Sequence, residues 1–105
     1  MKAHEIRTLL EEAVQAASAG DRDYFAEGTL APAGWIQVTW DAVNMSYASE
    51  RDPAEILADL NVPEHLEISS WQPSKYVTFA HDAEEIESTA AFVASFLTAL
   101  ANEKP

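Results

Sequence analysis

Cysteine is absent from this chain, glycine occurs three times, and six Lys and Arg stand against 18 Asp and Glu. The lack of cysteine excludes a disulfide scaffold, a thiolate metal site and a thiol nucleophile, and it suits a reducing compartment, so a cytoplasmic location is expected. The three glycines, Gly20, Gly28 and Gly34, form neither a phosphate-cradling loop nor a dinucleotide fingerprint. The scarcity of basic residues leaves a formal net charge of -12. A chain so charged repels phosphate backbones and anionic headgroups and steers basic partners toward itself, so nucleic acid is not an expected partner. Long hydrophobic runs are missing too. The longest weakly polar stretch, Ala90 to Ala101, is broken by Ser95 and Thr98 and falls short of the ~20 residues that cross a bilayer. Met1-Lys2-Ala3-His4-Glu5 leads into an acidic amphipathic stretch, without the apolar run of an export signal. No membrane partner is expected.

What remains is enough to build a core. The chain has 105 residues, 48% of them hydrophobic and three of them Trp, which is too apolar for a disordered acidic segment and too short for two cores. A single domain over 1–105 is expected.

From Ala3 to Ala19 the apolar residues Ile6, Leu9, Leu10, Ala13, Val14 and Ala17 recur at helical spacing, and Gly20 ends the pattern. A short edge strand is expected near Tyr24–Leu30. Trp35 to Trp40 alternates, with Ile36, Val38 and Trp40 on one face and Trp35, Gln37 and Thr39 on the other. After a break at Asp41-Ala42 the alternation resumes through Val43, Met45 and Tyr47, which predicts a hairpin. Asp52-Pro53-Ala54-Glu55 carries a capping carboxylate, a proline at the first helical position and an acid three residues after the cap. A short helix ending before Pro63 follows. Leu66–Trp71 and Lys75–His81 predict a second hairpin across Gln72-Pro73-Ser74. Asp82, with Glu85 three residues on, predicts the cap of a last helix running to about Asn102 and striped by Ile86, Val93, Leu97 and Leu100. The order α-β-β-β-α-β-β-α gives an α+β fold, an antiparallel sheet flanked by helices.

No motif carries chemistry. His4, His65 and His81 lack metal-ligand spacing, there is no calcium loop, and no Gly-x-Ser-x-Gly turn presents a nucleophile. The paired acids Glu11-Glu12 and Asp82, Glu84 and Glu85 are explained by helix geometry, since acids in a first turn are favoured by the macrodipole at ~0.3–1 kcal/mol each. No catalytic residue, cofactor or metal is therefore expected. The aromatic residues are dense for a small sheet. Trp35 falls opposite Ile36, Val38 and Trp40, and Trp71 falls opposite Leu66 and Ile68, so alternation cannot bury every Trp on one face. Phe92 and Phe96 widen the apolar arc of the last helix; they either close the core or line a dimer or partner groove. Trp35, Trp71, Phe92 and Phe96 are the candidate partner-binding or dimer residues.

This element order resembles that of the type III secretion chaperone-like fold and the TY-Chap-type bacterial chaperone-like domains grouped with it. The points of similarity are Trp35-Ile36-Gln37-Val38 opening the central strand, the short helix ending Leu57-Ala58-Asp59-Leu60-Asn61-Val62-Pro63, and the closing helix after Asp82 with Phe92-Val93 and Leu97. The resemblance implies a small acidic homodimer that binds another polypeptide and has no enzymatic activity. The leading expectation is a non-enzymatic, chaperone-like protein-binding module. Two alternatives stand beside it: an acidic inhibitor or nucleic-acid mimic using Glu84, Glu85 and Glu87 against a basic partner, and a small-ligand domain with a site at His81 and Tyr76.

Overall fold

The computed structural model describes residues 1–30 and 34–102. Its elements are α1 (Ala3–Ser18), β1 (Ala26–Thr29), β2 (Trp35–Val38), β3 (Ala42–Ser46), α2 (Pro53–Leu57), β4 (Glu67–Gln72), β5 (Tyr76–Ala80) and α3 (Ile86–Ala101). This is the expected α+β fold with the expected element order. The sheet is antiparallel throughout, in the order β1-β2-β3-β5-β4, so α2 carries the chain across to the far edge and β5 returns between β3 and β4.

Local chemistry accounts for the element ends. The Glu5 carboxylate accepts the Lys2 backbone N–H at 2.9 Å and so satisfies a donor that the first turn of α1 leaves unpaired. At its other end Gly20 adopts φ +98°, and the Gly20 and Asp21 N–H groups return to the carbonyls of Ala17 and Ala16, a Schellman closure that glycine allows without strain. Asp52 caps α2 as its sequence predicts: Oδ1 accepts the Ala54 N–H at 2.9 Å, with Pro53 at the first position. Thr39, Trp40 and Asp41 connect β2 to β3, closed by the Thr39 N–H on the Ala42 carbonyl. The β4–β5 turn has Pro73 followed by Ser74 in the left-handed region at φ 57°, with the Lys75 N–H on the Gln72 carbonyl, which is the pattern of a type II turn.

Alternation along the strands sends Ile36, Val38, Val43, Met45, Val77 and Phe79 to one face, where all are fully buried. There they meet Ile6, Leu10 and Ala13 of α1 and Phe92, Val93 and Phe96 of α3. Ile56 of α2 and Leu66, just before β4, close the same core at its side. A cluster of edge-on and stacked rings forms its centre, with Phe79 5.0 Å from Phe96 and 5.4 Å from Phe92, and Tyr47 6.4 Å from Phe96.

The structure corrects three expectations. The first strand is Ala26–Thr29, so Tyr24 and Phe25 lie ahead of it and are exposed. Asp82 does not cap the last helix. Its carboxylate accepts the Glu84 N–H and its carbonyl the Glu85 N–H, a separate turn after which α3 begins at Ile86. The third correction concerns β4. Ile68 pairs with Phe79 and Ser70 with Thr78, so Ser69 is an extra residue and the strand bulges there. The bulge reverses the alternation beyond it, and Trp71 joins Ile68 on the core side, 6.3 Å edge-on from Tyr47.

Candidate functional site

Of the four candidate residues, three pack into or against the core. Phe96 is fully buried and Phe92 nearly so, because Thr89, Ala90, Phe92, Val93 and Phe96 make the arc of α3 that faces the sheet. The stripe Ile86, Leu97 and Leu100 lies beside that arc and is only partly buried. Phe92 and Phe96 therefore close the core of the chain. Trp71 packs partly buried against the same core. Trp35 alone stands away from it, 39% exposed.

Trp35 belongs to the face of the sheet opposite the helices. Register places the residues of that face in rows across the strands. One row runs Thr29, Trp35, Ser46, Tyr76 and Gln72; the next runs Glu27, Gln37, Asn44, Thr78 and Ser70. The side chains of the second row bond to one another: Gln37 Nε2 donates to Glu27 at 2.9 Å and Thr78 Oγ1 to Asn44 Oδ1 at 2.8 Å. In the first row the Ser46 hydroxyl accepts the Trp35 backbone N–H at 3.1 Å, and the Tyr76 hydroxyl is 2.7 Å from Ser70 Oγ. The Tyr76 side chain is thus held toward β4, away from Ser46 and Trp35. The small side chain of Ser46 sits between two aromatic ones.

The charge distribution sets this face apart. Nearly a quarter of the chain is charged, yet the strands carry only Glu27 and Glu67, both on edge strands, and β2, β3 and β5 carry none. Solvated sheet faces alternate core residues with polar ones, among which charged residues are commonly interspersed. A neutral face bearing Trp and Tyr, with carboxylates only at its margins, has the composition of an interface centre. Gln37, Asn44, Ser46, Tyr76 and Thr78 were not among the candidates. Their signal in the sequence is the absence of charge from alternate positions of three strands.

The remaining polar groups are structural. Thr89 Oγ1 donates to the Glu85 carbonyl at 2.8 Å and lies 3.0 Å from His65 Nε2, which must then donate to it. His65 thereby ties the α2–β4 connection to α3. His81 is 7% exposed and its Nε2 donates to the Thr39 carbonyl at 3.0 Å. Its Nδ1 is the one buried side-chain polar atom without a partner among the described residues. Tyr76 opens β5 whereas His81 follows its last residue, about 16 Å farther along the chain at strand rise, so they do not share the pocket expected of a small-ligand site. Glu87, one of the acids of the mimic alternative, is bridged at 3.1 Å by Arg7, which also pairs with Glu11. Among the described residues no three His, Asp or Glu side chains come together as a metal site, and no helix is long and apolar enough to cross a membrane. Shallow depressions lie among the described residues. One of about 160 Å³ lies where the Arg22 guanidinium covers the Trp40 ring at 4.9 Å, beside Val14, Ala17 and Ala83. Another, of about 480 Å³, lies between Leu60 and the outer face of α3.

Comparison with known proteins finds no family model that matches the chain, and no curated protein or solved structure that matches it.

Proposed function

We propose that the chain is a non-enzymatic protein-binding module of chaperone-like type, and that its binding surface is the open face of the sheet. The observation that carries this reading is the charge-free centre of that face in a chain of net charge -12. The surrounding acidity favours clients with basic segments, by steering encounter more than by adding contacts. Self-association belongs to the same reading and is assigned to the edge strand β4. There, partly buried Ile68 and Trp71 sit on the outermost strand, and pairing between two copies would leave both open faces free.

The test has two arms. Sedimentation equilibrium up to ~100 µM reads a dimer of even micromolar affinity. Tagged wild-type and Trp35→Ala baits, run side by side at moderate salt in extracts of the native host, read the face. A stoichiometric polypeptide captured by wild type and lost by the Trp35→Ala variant is the expected result. Partners held equally by both baits would remove the open face from the function, and partners released only by raised salt would favour the acidic-mimic alternative.

A further inference from the structure

The register of the open face makes it self-complementary. β3 is the middle strand of the five, and its outer side carries only Ala42, Asn44 and Ser46, all partly buried. β5 beside it carries Ala80, Thr78 and Tyr76, and the Tyr76 side chain is held toward β4 by Ser70. The centre of the face is therefore low, and low sheet faces pack on one another ~10 Å apart with strand directions within ~30°. Charge restricts which surfaces of two copies can meet. At -12 each, two copies repel wherever carboxylates come together, and β2, β3 and β5 hold none. Symmetry then selects an arrangement. Asn44 stands on the central strand in the central row, between the rows of Ala42 and Ser46, so a two-fold axis lying between two such faces passes over it. An axis across the strands would lay Glu27 on the Glu27 of the second copy. An axis along β3 instead exchanges β2 with β5 and β1 with β4, so Glu27 lies over the Ser70 position and Trp35 over the Tyr76 position. Glu67 then falls over the start of β1, and neither strand carboxylate meets another.

We infer that, when no client is bound, the open face is covered by the same face of a second copy, packed about a two-fold axis that runs along β3 and passes over Asn44. This inference rests on the protein-binding reading above and adds a regulation to it: the self-contact and a client use one surface and exclude one another. The contact is small. Strands of four to six residues at ~3.3 Å per residue, set ~4.8 Å apart, give a footprint of roughly 24 by 17 Å, about 400 Å² per copy and about 800 Å² in all. Stable interfaces bury ~1,200–2,000 Å², so a cover of this size is weak and is readily displaced. It is also separate from pairing at β4, which lies two strands from Asn44.

Sedimentation velocity and NMR of the whole chain, diluted from ~1 mM to ~10 µM, read the contact across the range expected of a weak interface. On dilution of the wild type the signals of Trp35, Asn44, Ser46 and Thr78 should shift. Raised salt should strengthen the association, because it screens net repulsion and the face holds no ion pair to break. Asn44 meets its own copy at the axis, so Asn44→Asp and Asn44→Lys should each weaken self-association at least ~10-fold, and an equal mixture of the two should restore it as a heterodimer. Asn44→Asp keeps the acceptor for the Thr78 hydroxyl, and a dispersed spectrum checks the fold of both variants; the wild-type dilution shifts decide the matter if Asn44→Lys does not fold. Glu27→Gln should leave the association unchanged, and a large strengthening would put the axis across the strands and overturn the arrangement. No association of the wild type at ~1 mM, dilution shifts confined to another surface, single variants that associate as the wild type does, or a mixture no better than its parts overturns the inference. The client reading then stands if Trp35→Ala still releases captured partners, and fails with it if Trp35→Ala releases none.

Discussion

Replacing Phe96 by alanine tests the division between core and docking aromatics most directly. Phe96 is fully buried and sits edge-on to Phe79 at 5.0 Å, stacked near Phe92 at 6.2 Å and Tyr47 at 6.4 Å. Removing a buried phenyl ring costs about 3–5 kcal/mol in transfer and cavity terms, and loss of the ring pairs keeps the value at the upper end. A domain of this size has ~5–15 kcal/mol in total, so Phe96→Ala removes a large part of it. At ~4–8 °C per kcal/mol the melting midpoint falls by roughly 15–30 °C. Trp35→Ala is the paired measurement. Its ring is substantially exposed, and the backbone bond from Trp35 N to Ser46 survives the substitution, so the cost stays within about 1 kcal/mol. Urea unfolding of both variants by circular dichroism, with unchanged slope as the check on two-state behaviour, reads the difference. A Phe96→Ala cost below about 1 kcal/mol, or a larger cost at Trp35, would refute the assignment of these side chains to opposite sides of the sheet.

Three further outcomes follow from local chemistry. Glu5 titrates below its ordinary value of 4.5, chiefly because its carboxylate accepts the Lys2 N–H; its folded value is the lower one, so its contribution is complete above the ordinary value and is lost as pH falls through the depressed one. Carboxyl titration by NMR checks this, and a Glu5 value at or above the ordinary one contradicts it. Thr89→Val preserves shape but strands the His65 donor, while the Glu85 carbonyl keeps the Thr89 N–H, so it should cost about 1–3 kcal/mol in urea unfolding; a neutral result would remove His65 as the tie between the α2–β4 connection and α3. Ser74→Gly relieves a left-handed side chain and should stabilise by up to about 1 kcal/mol despite glycine's freer unfolded state, whereas Ser74→Val should destabilise.

The parts of the fold legible in the sequence are those whose signal is local and periodic. Ile6, Leu10 and Ala13 at i, i+4 and i+7 place α1, alternation places Ile36 and Val38 inside and Trp35 outside, and Asp52-Pro53 starts α2 at the right residue. The Ser69 bulge has no such signal. Serine is neutral toward both faces, so nothing in Ile68-Ser69-Ser70-Trp71 marks the residue at which alternation reverses, and Trp71 is assigned to the wrong side. The start of α3 fails for another reason. An Asp three residues before a Glu describes both a capping box and a free turn, and the choice depends on how the chain leaves β5, where the His81 N–H is fixed to the Asp41 carbonyl of a different strand connection. For Phe92 and Phe96 a helical wheel gives the width of the apolar arc but not the depth of the layer that covers it. The sheet face and α1 together bury Phe92 and Phe96 and leave Ile86, Leu97 and Leu100 partly exposed.

The distribution of charge separates two accounts of the acidity. If 18 carboxylates served solubility alone, the open sheet face, a broad surface left free by the helices, would be the natural place for some of them. Its central strands have none. The acids sit instead on the helical layer, in the connections and at the two sheet margins, with several in first turns, where helix dipoles favour them. Repulsion between copies at -12 each is screened beyond ~8 Å at physiological salt, so it does not forbid contact; it disfavours contact through any acidic surface. The neutral face is then available to a client without competition from the chain's own charge. A client bound there should hold its dissociation rate as salt rises and lose only association rate, whereas a partner held by the carboxylates would lose both.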